Sequence, residues 1–256
     1  MFCPSGMLAA MKRLAHSRHR DSRRGASLII LLCGISLLAA CGKSGAPGRD
    51  LRFPQPDRPV AAIISPEFSD EKSRDADREA ERVMDHLAIA PGVRVADVGA
   101  GRGYYTVRLA RRLGPSATLY AEDVKAEYLK ELKDRLAQDG ITGVHLVQGT
   151  AGDPKLPPAS VDVAILAYMY HEIVNPFELL YRLRPALTPG ARVGIIDADR
   201  PTQNHGTPPA LLRCELAAVG YREKDFMRLT PTQTYLAVFV PPETLPSPES
   251  IVPCKE

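Results

Sequence analysis

The sequence predicts an α/β fold: a doubly wound, parallel sheet with helices on both faces. Three observations predict it. Short β-rich runs alternate with helical runs at close spacing from residue 93 to residue 240. The first of these strands runs directly into a glycine-rich turn, "ADVGAGRGYY". The 256 residues are 45% hydrophobic and 25% charged, enough apolar material for a packed core.

The elements follow in order. In "SDEKSRDADREAERVMDHL" (69–87), Ala76, Ala80, Val83, Met84 and Leu87 recur at helical spacing, and Pro91-Gly92 ends the run. "VRVADV" (93–98) reads as a strand and 104–114 as a helix stopped by Gly114. "ATLYAEDV" (117–124) is a second strand. Leu129, Leu132 and Leu136 line one side of the helix behind it, which Gly140 ends. "VHLVQG" (144–149) and "VDVAILAY" (161–168) are the third and fourth strands. Asn175-Pro176 offers an N-cap and first-turn proline for a helix through Leu179, Leu180 and Leu183. "ARVGIID" (191–197) is the fifth strand. Thr207-Pro208 opens a helix that Gly220 closes, and 221–229 and 233–240 are the last strands. In such sheets ligands bind outside the carboxyl ends of the strands, so candidate chemistry belongs there.

The N-terminus reads as an address. Basic "SRHRDSRRG" precedes an apolar run, Ala26–Ala40, that is shorter than the roughly 20 residues of a membrane span. Leu38-Ala39-Ala40-Cys41 resembles the lipobox of bacterial lipoproteins, which implies a signal peptide over 1–40 and a lipid on the Cys41 thiol. The resulting location is the cell envelope, facing the periplasm. Residues 41–68, rich in Gly, Pro and charge, read as a flexible tether, and 243–256 as a Pro-rich tail. The net charge of +3 comes from the signal: residues 1–41 hold six Lys/Arg and one acid, leaving 27 basic and 29 acidic residues behind them. A body without basic excess gives no reason to expect nucleic acid.

At the end of the first strand, Asp97 stands two residues before Gly99, which with Gly101 and Gly103 forms G-x-G-x-G. A dinucleotide fingerprint would need a glycine where Tyr104 stands, to let the helix approach the sheet. The arrangement instead resembles motif I of class I S-adenosylmethionine-dependent methyltransferases, and the likeness extends over roughly 70–242. It implies a Rossmann-like, mostly parallel seven-stranded sheet with an antiparallel last strand, in a domain spanning 69–242. It also implies S-adenosylmethionine as cofactor. Asp97 would face the cationic amino acid moiety, and the glycines would admit the backbone close to the ligand. Asp123, ending the second strand, would take the ribose hydroxyls, with Glu122 the alternative if the register differs by one. After Gly149 the family often has an acid at the adenine. Here Thr150 takes that place, with Asp153 three further on.

"AYMYHEI" follows the fourth strand, where this fold places acceptor-side residues. His171 is the candidate base, and Tyr168 and Tyr170 the candidates to line the methyl path. The acceptor is expected to be a small molecule. Asp197, Asp199 and His205 in "DADRPTQNHG" have metal-ligand chemistry, but loops of this composition arise often by chance, and no metal is expected. A non-catalytic binding protein with the same fold is the alternative, favoured by Thr150 and opposed by the intact glycines and Asp123. Of five cysteines, Cys3 and Cys33 leave with the signal and Cys41 takes lipid. Cys214 and Cys254 either join, pinning the tail, or remain a buried thiol and a loose one.

Overall fold

A computed structural model describes residues 50–63, 70–229 and 233–256. The segment read as a signal peptide and Cys41 lie outside the described residues. Seven strands form one sheet: β1 (Val95–Val98), β2 (Leu119–Asp123), β3 (Val144–Gln148), β4 (Val161–Ala167), β5 (Leu187–Ala198), β6 (Arg222–Arg228) and β7 (Thr234–Val240). Their order is β3-β2-β1-β4-β5-β7-β6. The pairs among β1 to β5 are parallel, and β7 runs antiparallel between β5 and β6. This is the doubly wound sheet the alternation predicts, with the last strand reversed.

Parallel strands covered on both faces are apolar throughout, and β1 is buried at all four positions. Helices α3 (Tyr104–Leu113), α4 (Ala126–Gln138), α5 (Pro176–Leu183) and α6 (Pro209–Ala218) form the cover. The core lies in two main clusters. Val95, Leu109, Leu119, Ile165 and Ile196 pack in one, and Leu166, Phe177, Leu180, Ile195 and Phe239 in the other.

The single helix expected over 69–87 is two. Asp70 caps α1 (Glu71–Ala76) by accepting from the Lys72 and Ser73 N–H groups, and Arg78, at φ 52°, breaks the chain before α2 (Glu79–His86). No residue of α1 is buried, so no apolar stripe carries it on along the axis of α2, which buries Ala80, Val83 and Met84.

Residues 50–63, expected as part of a flexible tether, are instead a strap packed on the body. Phe53 is buried against Tyr181, with ring centroids 5.1 Å apart. Arg58 and Glu215 of α6, both 0% exposed, pair at 2.9 Å. The Arg58 guanidinium also donates to the carbonyls of Tyr170 and His171, and the Ala61 N–H donates to the His171 carbonyl at 3.0 Å. One apolar anchor and one buried, paired cation hold a segment whose composition reads as linker.

The tail is fixed as well. Cys214 on α6 and Cys254 form a disulfide, with Cα atoms 6.0 Å apart. Lys255 bridges to Asp57 of the strap, and the Glu256 carboxylate accepts from the Thr202 N–H and hydroxyl, each at 2.7 Å. Closing a loop of 40 residues stabilises by about 4 kcal/mol in the chain-entropy view. Reduction is expected to lower the melting temperature by several degrees, at roughly 2–4 °C per kcal/mol for a domain of this size. Thermal melts with and without reductant check it; superimposable curves would rule the stabilisation out.

Candidate active site

The carboxyl ends of the parallel strands open into a cavity of about 1190 Å³, above the usual range for a single small ligand. The glycine turn forms its floor. Gly99, Gly101 and Gly103 have φ of 72°, 53° and 87°, in the left-handed region where side chains are strained. A Cβ at Gly99 would stand 2.8 Å from Met169 Cγ. Two N–H groups of the turn donate to carboxylates ending β2: Gly99 to Glu122 Oε2 at 3.3 Å and Gly101 to Asp123 Oδ2 at 2.8 Å. The turn is thereby held open by its neighbour strand.

Three acids crowd this floor. Asp97 is buried and accepts from the Thr106 hydroxyl at 2.6 Å, and burial pushes its carboxyl up to about 6. Burial, and then the charge of Asp123, push Glu122 up to about 8. Its Oε1 is buried without a hydrogen-bond partner among the described residues, against the Cα of Gly149, where any Cβ would come within 1.9 Å. Asp123 Oδ1 accepts from the Lys125 N–H, so both its oxygens are engaged by backbone. Asp97, Glu122 and Asp123 all line the cavity. A ligand with a cationic amine and vicinal hydroxyls fits this donor-poor cradle.

Two positions expected at the cofactor are elsewhere. Thr150 does not line the cavity: it bridges Asp153, its N–H donating to the Asp153 carbonyl at 2.8 Å, and Ala151 lines the wall instead. Gly103 faces α4, where a Cβ would stand 2.3 Å from Leu132 Cδ1, so it serves helix packing.

At the end of the cavity expected to take an acceptor, His171 is 2% exposed and reaches the cavity. Its Nδ1 lies 3.0 Å from Asp197 Oδ1, and the same carboxylate accepts from the Thr207 hydroxyl and the Ala198 N–H. A carboxylate only accepts, so Nδ1 carries a proton, and in the neutral ring Nε2 then presents a lone pair. Tyr168, held at φ 54°, lines the cavity, but its hydroxyl donates to Glu79 Oε2 at 2.8 Å. Tyr170 does not reach the cavity: it is fully buried, with the Arg58 guanidinium over its ring. Asp199 pairs outward with Arg228.

Sequence reading missed Glu79 and Arg74. The Glu79 carboxylate accepts from the hydroxyls of Tyr105 and Tyr168 and pairs with Arg74 at 2.7 Å. The Arg74 guanidinium lies 3.5 Å from the Tyr104 ring centroid. Charges in an amphipathic helix gave no signal that these two turn inward.

Residues 95–190 match the family described as "Methyltransferase domain". The chain is 27% identical over 117 residues to the ubiquinone/menaquinone biosynthesis C-methyltransferase UbiE of Pseudomonas aeruginosa, across 45% of this chain and 46% of the relative. It is 29% identical over 119 residues to the Vibrio campbellii protein of that name, across 46% of each chain. The chain thus spans about half the length of these curated relatives. Among solved structures, a SAM-dependent methyltransferase from Aquifex aeolicus superposes with a TM-score of 0.59 at 23% identity, over 68% of this chain and 98% of that one. Residues 95–190 therefore match a methyltransferase domain, and the fold is that of SAM-dependent methyltransferase structures. The cofactor of this type of domain is S-adenosylmethionine, which the cradle of the methyltransferase domain fits. The [4+2]-cyclase SpnF superposes as well, with a TM-score of 0.57 at 15% identity, over 73% of this chain and 89% of that one. The fold of a methyltransferase domain therefore does not by itself fix the reaction.

Burial that favours protonated Asp97 and Glu122 gives a stability prediction. Acids whose carboxyls are raised by folding contribute fully below their ordinary range near 4, and the contribution fades as pH rises through about 6 and 8. Denaturant melts without ligand are expected to show lower stability at pH 8.5 than at pH 5, with the difference reduced in Glu122→Gln. An undiminished difference in that variant would remove Glu122 as the cause.

Proposed function

We propose that the protein transfers a methyl group from S-adenosylmethionine to a small-molecule acceptor, as an exported, lipid-anchored protein facing the periplasm. One observation carries the catalytic reading: a single cavity joins the glycine turn and its acids to the lone pair of His171. When bound, S-adenosylmethionine supplies the reactive methyl. Asp97 receives the cationic amine, Glu122 and Asp123 the ribose hydroxyls, and the glycine turn admits the remainder. The strap residues Ala61 and Ile63, with Ile173 and Val174, give the acceptor end an apolar wall. His171 takes a proton from an acceptor that carries one, and Asp197 keeps the ring in the tautomer that can do so. Tyr168 shapes the wall. The non-catalytic alternative draws support from Thr150, which contributes nothing to the cavity.

Isothermal titration with S-adenosylmethionine tests the cradle. Gly101→Val, which puts a side chain into the turn, and Asp123→Ala, which removes a ribose acceptor, are each expected to weaken binding by about tenfold to a hundredfold, on the order of the 1.5–3 kcal/mol of a hydrogen bond to a charged group. Wild-type affinity in both would remove the cofactor from this site. His171→Ala is expected to lower formation of S-adenosylhomocysteine in an acceptor screen while cofactor affinity stays within about twofold, since its ring lies beyond the cradle. Full turnover in that variant would leave His171 a structural role, and no product with any acceptor in the wild type would favour the non-catalytic reading.

The export reading rests on Leu38-Ala39-Ala40-Cys41 after its apolar run, and on a disulfide suited to an oxidising compartment. Cys41→Ser is expected to release the protein from the membrane fraction and leave an uncleaved precursor. An unchanged fractionation pattern would exclude a lipid at Cys41.

A further inference from the structure

We propose that His171, Glu172 and His205 bind a divalent transition-metal ion at the acceptor end of the cavity. One ligand atom from each lies within 4.8 Å of the others, and all three residues line the cavity. They come from two short turns at the carboxyl edge of the sheet, residues 170–172 after β4 and 202–204 followed by His205 after β5. Metal–ligand bonds of about 2.0–2.2 Å set neighbouring ligand atoms roughly 3.4 Å apart. His171 Nε2 and Glu172 Oε1 are 3.9 Å apart, so most of the closing falls to His205.

Each imidazole is prepared differently. Asp197 holds the Nδ1 proton of His171, which leaves Nε2 as a basic lone pair in a fixed direction; metal-bound histidines are oriented in this way. His205 sits edge-on to His171, with ring centroids 5.6 Å apart, and its Nδ1 is buried with no hydrogen-bond partner among the described residues. A buried ring nitrogen without a partner carries a desolvation cost that a cation beside it would offset. The set differs from the Asp197, Asp199 and His205 grouping in the sequence, at which no metal is expected: only His205 is shared. Asp197 stands behind His171, and Asp199 faces Arg228.

Two imidazoles and one carboxylate suit Zn²⁺, Co²⁺, Ni²⁺ or Fe²⁺ better than Mg²⁺ or Ca²⁺, which prefer all-oxygen shells. Three protein ligands leave a coordination position open towards the cavity. An acceptor hydroxyl or enol oxygen fits there, and coordination makes it more acidic, so its proton passes to water. This use rests on the acceptor lying at this end of the cavity; ion binding does not. With the ion in place His171 Nε2 is a ligand, so direct proton removal by His171 belongs to the ion-free protein only.

The test uses untagged, chelator-treated full chain titrated with Co²⁺ and followed by its visible absorption. One equivalent is expected to give d–d bands that Zn²⁺ displaces. His205→Ala and Glu172→Gln are each expected to weaken binding by about 10–100-fold, a loss at least as large as that from disturbing an outer-shell partner. Far-ultraviolet circular dichroism and the intact Cys214–Cys254 link show that the variants fold. No bands in the wild type, or wild-type affinity in both folded variants, would overturn the proposal. Titration with S-adenosylmethionine is run in parallel: Co²⁺ binding without cofactor binding refutes the methyl-transfer reading and leaves the ion site standing, and the converse refutes the ion site alone.

Discussion

The parallel register of β1 with β2 and β4 is the constraint from which the site is built. It pairs Val98 with Glu122 on one side and with Leu166 on the other, so three strands end at one level. Backbone N–H groups of the turn after β1 then meet the carboxylates that end β2. The residues after β4 and β5 rise beside them, which brings His171 to Asp197 from 26 positions away. A slip of one residue in the β1–β2 pairing would carry Glu122 and Asp123 each to the other face of the sheet and undo both contacts.

An edge of this kind collects buried charge, and burial of charge is costly unless it is answered. The answers differ in kind. Asp197 is satisfied by a histidine, a hydroxyl and a backbone N–H. Glu79 is satisfied by two tyrosines and an arginine. Glu122 is left with one unsatisfied oxygen and a strongly raised carboxyl. The first two are complete networks that shape walls. The third is incomplete: its unpartnered oxygen is buried against Gly149, and burial favours the protonated acid.

The His171 end of the cavity depends on segments far from the sheet's middle. Arg58 of the strap holds the carbonyls of Tyr170 and His171, while its partner Glu215 lies one position from Cys214 on α6. Through Cys254 the disulfide fixes the tail, whose Glu256 caps the turn that leads to His205. The two histidine-bearing turns are thus positioned from both ends of the chain, whereas the cofactor cradle is held within the sheet.

The sequence by itself determined the sheet, the glycine turn and the strand ends that carry Asp97, Glu122 and Asp123. Those features are local: apolar runs, punctuating glycines and acids adjacent to them are visible within a dozen residues. His171 was legible from its place after the fourth strand, as an expectation of position. The tertiary structure alone decided the rest. It broke the helix at Arg78, because nothing apolar in α1 had a surface to bury against. It ordered 50–63, because Arg58 finds Glu215 at a separation of 157 residues. It placed Thr150 and Tyr170 outside the cavity lining and buried one Glu122 oxygen without a partner among the described residues. It joined Cys214 to Cys254 rather than leaving two thiols. In each case the deciding partner is distant in sequence, and no local pattern encodes which of several exposed-looking polar residues will find one.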